Sequence, residues 1–394
     1  MKQKKIERKT FGNFEVVFLL LLTCFISFGT GFCLGSDSDS NIKDTKDQHI
    51  QKFTENYEYI VENYYNKVDE DSLVDAAIKG MVESLGDDYS NFMSNKESNS
   101  FDISLKGEYE GVGITISKID DKMTIIDVYE GTPASKAGIH PLDVIVDIKG
   151  TDASTLETTD IVEMVEKEKG EIPLTLQRGD ETITASLKRE KIVLQSVHSK
   201  MIDEENKIGY LKMDIFALNT ADQFKKELTR LEKQGMKSLI IDVRNNGGGH
   251  LSTAQEISSM LVDSSHVIYQ TEVKGKKTKV YSTGKKTKEY PILFLTNNGS
   301  ASGSELLVAS IIENTEAKVV GESTYGKGTV QELVPLASGS EYKVTIKKWL
   351  TPKGNWVNEN GIIPDVEVKL DEAYYQNPSN TTDNQLQKAI ELLK

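Results

Sequence analysis

Cysteine is almost absent from this sequence. The 394 residues contain only two cysteines, Cys24 and Cys33, and both lie near the N-terminus. The rest of the chain therefore has neither disulfides nor a thiol nucleophile. The five histidines are scattered, and there is no His-Glu-x-x-His sequence and no cysteine pair. We therefore predict no metal site and no cofactor.

Basic charge is scarce outside the N-terminus. The net charge is −14, and residues 1–15 hold five basic and two acidic side chains, which leaves 42 basic against 59 acidic residues in the rest of the chain. A body this acidic argues against binding of nucleic acid.

One long uncharged run is present, at residues 16–34. A membrane-spanning helix needs about 20 apolar residues, and a basic flank favours the cytoplasmic side. We therefore predict a single-pass signal anchor in the cell membrane, with the remainder of the chain outside the cytoplasm. The alternative is cleavage of this run as a signal peptide and release of the protein, although no small-x-small cleavage site is clear.

One serine and one lysine lie in segments that favour nucleophilic catalysis. Ser302 lies in a turn of small residues directly before an apolar run that predicts a helix, and a helix N-terminus offers free amide donors to an oxyanion. Lys327 lies between two glycines, and a desolvated lysine amine can accept a hydroxyl proton. The structural alternatives are a capping box formed by Ser302 with Glu305 and a solvated turn lysine at position 327.

The segments 299–305 and 321–331 resemble the signature of the carboxy-terminal processing peptidases, which are Ser-Lys endopeptidases built around a PDZ domain. The resemblance extends from about residue 57 to about residue 368. It implies that Ser302 is the nucleophile, that Lys327 is the general base and that Gln331 orients the lysine. It also implies that the N-terminal helical region pairs two subunits into a homodimer.

Residues 107–194 predict a compact β-rich module with one helix. The stretch 131–143 resembles a PDZ domain of exported proteases, so we expect protein or peptide substrates with free C-termini. Glycine amides can converge on an anion, and an exposed strand edge can pair with a peptide. Glu166 stands where family members often carry an arginine that couples ligand binding to activation. The predicted carboxylate-binding residues are Gly111, Val112, Gly113 and Ile114.

Strands and helices alternate from Lys207 to about Val320, which predicts a mixed or parallel α/β sheet with active residues at the strand ends. This pattern resembles the crotonase-like, ClpP-like core of the family. A buried strand leads into three glycines, 247–249, but no Gly-Lys-Ser/Thr follows, so a P-loop is excluded. The resemblance assigns the oxyanion-hole amides to Gly248, or a neighbour, and to Gly303. His250 can line this cleft, although a lone histidine is more often structural.

The predicted fold class is therefore α/β (mixed α+β), with a protease core, an inserted PDZ domain, an N-terminal helical segment and a membrane anchor. The predicted activity is that of an exported serine endopeptidase. A catalytically silent PDZ scaffold is the alternative, and an acyl-thioester hydratase or isomerase is disfavoured by export. The predicted divisions are a cytoplasmic tail (1–15), the anchor (16–34), a linker (35–48), the helical dimerisation region (49–103), the PDZ domain (104–194), the protease core (195–370) and a C-terminal tail with a helix (371–394).

Overall fold

The computed structural model describes residues 37–394. The predicted cytoplasmic tail and membrane anchor, residues 1–34, lie outside this range. Within the described part of the chain, no helix combines the length and the apolar character that a membrane crossing requires. The described residues divide into two compact units, one that ends at Ala77 and one over Ile78–Lys394.

The first unit is helical. Helix α1 (Asp37–Asn63) is followed by α2 (Glu70–Glu83), which continues into the second unit. The Tyr57 hydroxyl donates a hydrogen bond to Glu70 Oε2 at 2.8 Å and joins the two helices. Ile60 on α1 is 44% exposed, so this helix presents apolar surface to solvent. The predicted N-terminal helical segment contains these two helices, and the homodimer stays a prediction.

The second unit begins with a short strand, β1 (Asn91–Met93), and a capped helix, α3 (Asn95–Lys106). Residues 91–93 fall within the region predicted as helical, 49–103, but they pair with a distant strand. Ser94 and Glu97 form a capping box at the start of α3, and Gly107 ends the helix at φ 71°. Glycine adopts this left-handed conformation without steric cost.

Residues 108–193 form the predicted β-rich module. Its strands are β2 (Glu108–Gly111), β3 (Ile114–Ile119), β4 (Lys122–Val128), β5 (Val144–Ile148), β6 (Thr151–Asp152), β7 (Glu171–Arg178), β8 (Glu181–Lys188) and β9 (Glu190–Val193), with helices α4 (Pro133–Lys136) and α5 (Thr158–Lys167). β3, β4, β5, β7 and β8 form a sheet in that order, β6 adds to β5, and β2 pairs separately with β9. Gly113 turns at φ 85° directly before β3, and the Val112 carbonyl accepts a hydrogen bond from the Ala134 amide at 2.9 Å.

A six-stranded sheet forms the core of the second unit. Its strands, in spatial order, are β10 (Val197–Asp203), β11 (Ile208–Met213), β12 (Ser238–Asp242), β15 (Ile292–Thr296), β16 (Lys318–Gly321) and β19 (Val366–Glu367). The associated helices are α6 (Thr220–Lys233), α7 (Leu251–Leu261) and α8 (Gly303–Ile312). All pairs after β10–β11 are parallel, and β12 and β15 are entirely buried, as parallel strands covered on both faces must be. β12 pairs directly with β15, so the glycine segment and the serine turn that follow them emerge side by side.

A five-stranded sheet carries the lysine segment. It contains β1 together with β13 (Val267–Val273), β14 (Lys276–Tyr281), β17 (Thr329–Pro335) and β18 (Glu341–Leu350). β18 pairs with β1, β13 and β17. The Nε1 of Trp349 on β18, a buried side chain, donates to the Lys327 carbonyl at 2.7 Å. This bond fixes the lysine segment against the second sheet.

The last two helices of the chain are α9 (Glu372–Gln376) and α10 (Asn384–Leu393). The stretch 377–384 is polar, but its end is held in place. Asp383 is buried and its Oδ2 forms an ion pair with Arg244 Nη2 at 2.8 Å. Arg244 also pairs with Asp242 at the end of β12. The C-terminal helix is therefore tied to the central sheet by buried charges.

Candidate active site

Ser302 occupies a strained turn at the start of α8. Its backbone lies at φ 53° and ψ −110°, a region that residues other than glycine rarely adopt. Such backbone strain costs on the order of 1–3 kcal/mol and clusters at functional sites. The prediction that Ser302 directly precedes a helix is confirmed.

Two neighbouring serines hold this turn, and Ser302 lines a cleft. The hydroxyls of Ser300 and Ser304 are buried and donate to the carbonyls of Val243 and Asn246, each at 2.8 Å. Ser302 lines a cleft of about 470 Å³. The structure thus separates one serine that lines the cleft from two that anchor the glycine segment.

A single buried carboxylate, that of Glu305, connects the serine turn to the lysine segment. Its Oε2 accepts hydrogen bonds from the amides of Ser302 at 2.8 Å and Lys327 at 2.9 Å. Its Oε1 accepts from the Thr324 hydroxyl at 2.6 Å and the Gly326 amide at 2.7 Å. Glu305 is fully buried. The predicted capping box of Ser302 with Glu305 is present, but the carboxylate also holds the backbone around Lys327.

The Lys327 amine lies in a partly desolvated environment. Burial, together with the positive charge of Lys343, lowers the pKa of Lys327 to about 8, although the carboxylates of Asp87 and Glu305 act in the opposite direction. Its Nζ lies 5.0 Å from the ring centroid of Tyr89. An amine with a pKa in this range is partly neutral at physiological pH, as a general base requires.

Ser302, Lys327 and Gln331 line the same cleft, but they are not hydrogen-bonded to one another. Among the hydrogen bonds of the described residues, none joins Ser302 to Lys327. The Gln331 amide donates to the hydroxyls of Thr329 at 2.9 Å and Thr345 at 3.0 Å, and not to the lysine. The expected orienting contact of Gln331 is therefore absent in this conformation.

The glycine segment packs directly against the serine turn. A Cβ atom placed on Gly248 would lie 2.9 Å from both the Gly303 nitrogen and Ser302 Cβ. However, the Gly248 amide already donates to Asn246 Oδ1 at 2.9 Å. In this conformation it is not available to an oxyanion. Within the part of the chain that the structure describes, the neighbouring Gly249 amide has no hydrogen-bond partner.

The predicted carboxylate-binding loop lies at one end of an open strand edge. Gly111 ends β2, Val112 and Gly113 form a turn, and Ile114 begins β3. In its sheet β3 pairs with β4 on one side, and its other edge has no strand partner among the described residues. An open edge of this kind is what peptide addition requires.

Several residues of the site are not evident from sequence. The structure places Asp214, Lys343 and Lys347 in the lining of the cleft, and no local motif marks them. His250 also lines the cleft, and its Nε2 is buried without a hydrogen-bond partner among the described residues.

In the β-rich module, Arg189 reaches the end of α5. Its guanidinium donates to the Glu166 carbonyl and to Glu110 Oε2 at 2.7 Å.

Comparison with known proteins agrees with this architecture. The profile of Peptidase family S41 matches residues 207–368, that of the PDZ domain matches residues 102–177, and that of the activating protease CtpB N-terminal domain matches residues 34–97. The carboxy-terminal processing protease CtpA of Bacillus subtilis is 37% identical over 352 residues, which cover 89% of this chain and 74% of that protein. This chain belongs to the carboxy-terminal processing proteases. CtpB of the same organism is 35% identical over 338 residues, which cover 84% of this chain and 70% of that protein.

A solved structure from Bacteroides fragilis, assigned to the S41 proteases, supports the fold. The match covers 84% of this chain and 91% of the chain in that structure, with a TM-score of 0.50 and 16% sequence identity. The predicted family and the mixed α/β fold with a PDZ domain are confirmed. This carboxy-terminal processing protease is accordingly a serine-type peptidase that acts on proteins.

Proposed function

We propose that this protein is an exported, membrane-anchored endopeptidase that works through Ser302 and Lys327. The observation that carries this proposal is the Glu305 carboxylate, which accepts the amides of both residues. One buried anion thus fixes the backbone of the nucleophile and the backbone of the base. The lowered pKa of Lys327 and the shared cleft support the same roles.

The reaction proceeds in two steps. The Lys327 amine removes the proton of Ser302 Oγ as the oxygen attacks the peptide carbonyl, and amides at Gly303 and Gly248 or Gly249 stabilise the oxyanion. Collapse of the tetrahedral intermediate breaks the C–N bond, and the lysine returns its proton to the leaving amine. Water then attacks the acyl-enzyme, with the lysine again as base, and restores Ser302.

Substrate binding is proposed to complete this arrangement, because Ser302 and Lys327 are not bonded in the described conformation. The PDZ domain captures a substrate C-terminus along the open edge of β3 and delivers the chain to the cleft. The segment that joins the two parts supports such coupling. Leu105 of α3 lines the cleft and its carbonyl accepts from the Leu218 amide at 2.9 Å, while Asn219 Nδ2 donates to the Gly107 carbonyl at 2.6 Å.

The cellular setting of the proposal rests on the sequence. The uncharged run at residues 16–34 with its basic flank is proposed as a single-pass anchor in the cell membrane, with the catalytic body outside the cytoplasm. Pairing of two copies through the N-terminal helices is proposed from the family resemblance.

The test uses the full chain in detergent and an unstructured protein substrate that ends in apolar residues. Ser302→Ala and Lys327→Ala are compared with the parent and with Lys279→Ala, which removes an exposed lysine on β14. Mass spectrometry follows the fragments. Cleavage by the parent and the Lys279 variant alone supports the proposal, and equal cleavage by all four contradicts it. If the substrate C-terminus binds but neither the parent nor any variant cleaves the substrate, the catalytically silent PDZ scaffold is favoured. The absence of a hydrogen bond between Ser302 and Lys327 in the described conformation agrees with that alternative.

A further inference from the structure

The cleft around Ser302 is cationic, although the protein as a whole is acidic. The net charge of the chain is −14. The charged side chains that line the cleft are nevertheless three lysines, Lys327, Lys343 and Lys347, and one aspartate, Asp214. A local field opposite in sign to that of the whole molecule is expected to attract ligands of the opposite charge into the cleft.

The single aspartate among the cleft-lining residues is already paired with other groups. Asp214 Oδ1 lies 2.9 Å from Lys212 Nζ, and Asp214 Oδ2 lies 3.0 Å from His198 Nε2. It therefore does not serve as the counter-ion of the cleft lysines.

Lys343 and Lys347, both on β18, have no carboxylate partner within 4 Å among the described residues. Lys343 is half-buried, and its Nζ lies 5.5 Å from the ring centroid of Phe101. Burial lowers its pKa, although the negative charge of Asp87, which forms no ion pair with it, acts in the opposite direction. Lysines elsewhere in the same unit do find carboxylates, as Lys288 does with Glu232 at 2.6 Å. A partly desolvated ammonium without a partner is unfavourable, and a carboxylate ligand would relieve that cost.

We propose that Lys343 and Lys347 bind a carboxylate of the substrate near the scissile bond, so that the protease prefers acidic segments. This inference rests on the proposed peptidase function. The two lysines are four residues apart on β18, at most about 13 Å for an extended strand. This distance corresponds to about four residues of a substrate that lies extended beside Ser302. The carboxylate can belong to a glutamate or aspartate side chain, or to the C-terminus of the substrate itself.

The experiment uses full-length protein and a set of peptides of equal length. One peptide is neutral, others carry a single glutamate at successive positions, and each is made with a free and an amidated C-terminus. We expect kcat/KM for the best glutamate peptide to exceed that for the neutral peptide by about tenfold, the size of one charge-assisted bond. If amidation lowers kcat/KM while the glutamate makes no difference, the bound carboxylate is the C-terminus.

Variants assign the preference to the two lysines. Lys347→Gln and Lys343→Gln should each reduce the preference several-fold, and Lys347→Glu should favour peptides with lysine in place of glutamate. The matched control is Lys279→Gln on β14, which should keep the parent's preference. Thermal unfolding of each variant confirms that the fold is retained.

The two proposals fail in different ways. Cleavage that depends on Ser302 but is equal for acidic, neutral and amidated peptides overturns the carboxylate preference and leaves the peptidase intact. Lack of Ser302-dependent cleavage of any peptide counts against the peptidase. In that case fluorescence anisotropy decides the binding claim, because acidic peptides should bind more tightly than neutral ones to the parent and lose this advantage with Lys347→Gln. Equal binding of the two peptides by the parent would contradict it.

Discussion

The carboxylate of Glu305 accepts a hydrogen bond from the backbone amide of Lys327, with 2.9 Å between Oε2 and the nitrogen. The same oxygen accepts the amide of Ser302. Position 305 therefore connects a helix start on the central sheet with a loop that leads into the second sheet. Burying a carboxylate is costly unless it is fully hydrogen-bonded, so Glu305 needs its four donors. The carboxylate in turn fixes the positions of those donors.

Glu305→Gln should inactivate the protease and destabilise it. Glutamine keeps one acceptor oxygen and turns its amide NH2 group, itself a donor, toward two of the donors, so buried hydrogen bonds are lost at about 1–3 kcal/mol each. We expect the free energy of unfolding in urea to fall by about 3 kcal/mol and the peptidase activity to be lost. Glu316→Gln, at an exposed position beyond α8, is the control and should change neither quantity. Parent-like activity in the Glu305 variant would show that the bridge is dispensable.

The pH dependence of catalysis should follow the Lys327 amine. The base acts when neutral, so kcat/KM on a neutral peptide should rise with pH through an apparent pKa of about 8 and fall tenfold per unit below it. Lys343 holds the pKa of Lys327 down, so Lys343→Met should move the profile to higher pH. A profile that stays flat from about pH 6 to about pH 9, on both sides of the apparent pKa, would exclude Lys327 as the base.

Lys327→Met should make the protein more stable at neutral pH while removing its activity. The pKa of Lys327 is lowered from 10.5 to about 8 in the folded state, so the protonated amine is disfavoured there. This cost is fully present below pH 8 and disappears as pH rises through 10.5. We expect a gain of up to about 3 kcal/mol at pH 7 and no gain above pH 11, measured by urea unfolding. A variant that is less stable than the parent at pH 7 would contradict the assigned desolvation.

Gly248→Ala should abolish activity. An added Cβ would lie 2.8 Å from the Ala301 carbonyl and 2.9 Å from the Gly303 nitrogen, at a φ of 101° that alanine rarely adopts. The serine turn must then move, and the oxyanion donors move with it. Gly247→Ala is the matched control, because its Cβ would meet no atom within 4 Å. Similar rates for the two variants would show that the close approach at position 248 has no catalytic role.

Asp383→Ala should release the C-terminal helix. The substitution removes one of the two carboxylates that Arg244 pairs with and the cap that accepts from the Leu386 amide at 2.9 Å. Breaking a buried ion pair costs about 3–5 kcal/mol, and we expect a loss near the lower value together with faster proteolysis after residue 370. Glu391→Ala on the exposed side of the same helix should leave the protein unchanged. An unchanged unfolding midpoint for the Asp383 variant would refute this role.

The local chemistry of the site could be predicted from sequence because it depends on neighbours along the chain. Small residues before an apolar run place Ser302 at a helix start, and the alternation of buried strands with helices predicts the parallel sheet. The PDZ domain and the family follow from motifs in the same way. The loop before β3 was predicted as a peptide-binding segment, but the hydrogen bond from the Ala134 amide to the Val112 carbonyl joins distant residues and no local pattern reveals it.

Tertiary structure decided how distant segments meet. The sequence by itself determined which residue types are available, namely a serine at a helix N-terminus, a lysine between glycines and a glutamate at capping-box spacing from the serine. Only the packing of the two sheets brought the Glu305 carboxylate to the amides of both Ser302 and Lys327. The same packing brought Lys343 and Lys347 to the cleft, and the fold of the glycine segment turned the Gly248 amide toward Asn246. The physical reason is that burial, and with it each pKa and each ion pair, is set by strands that pair across tens of residues.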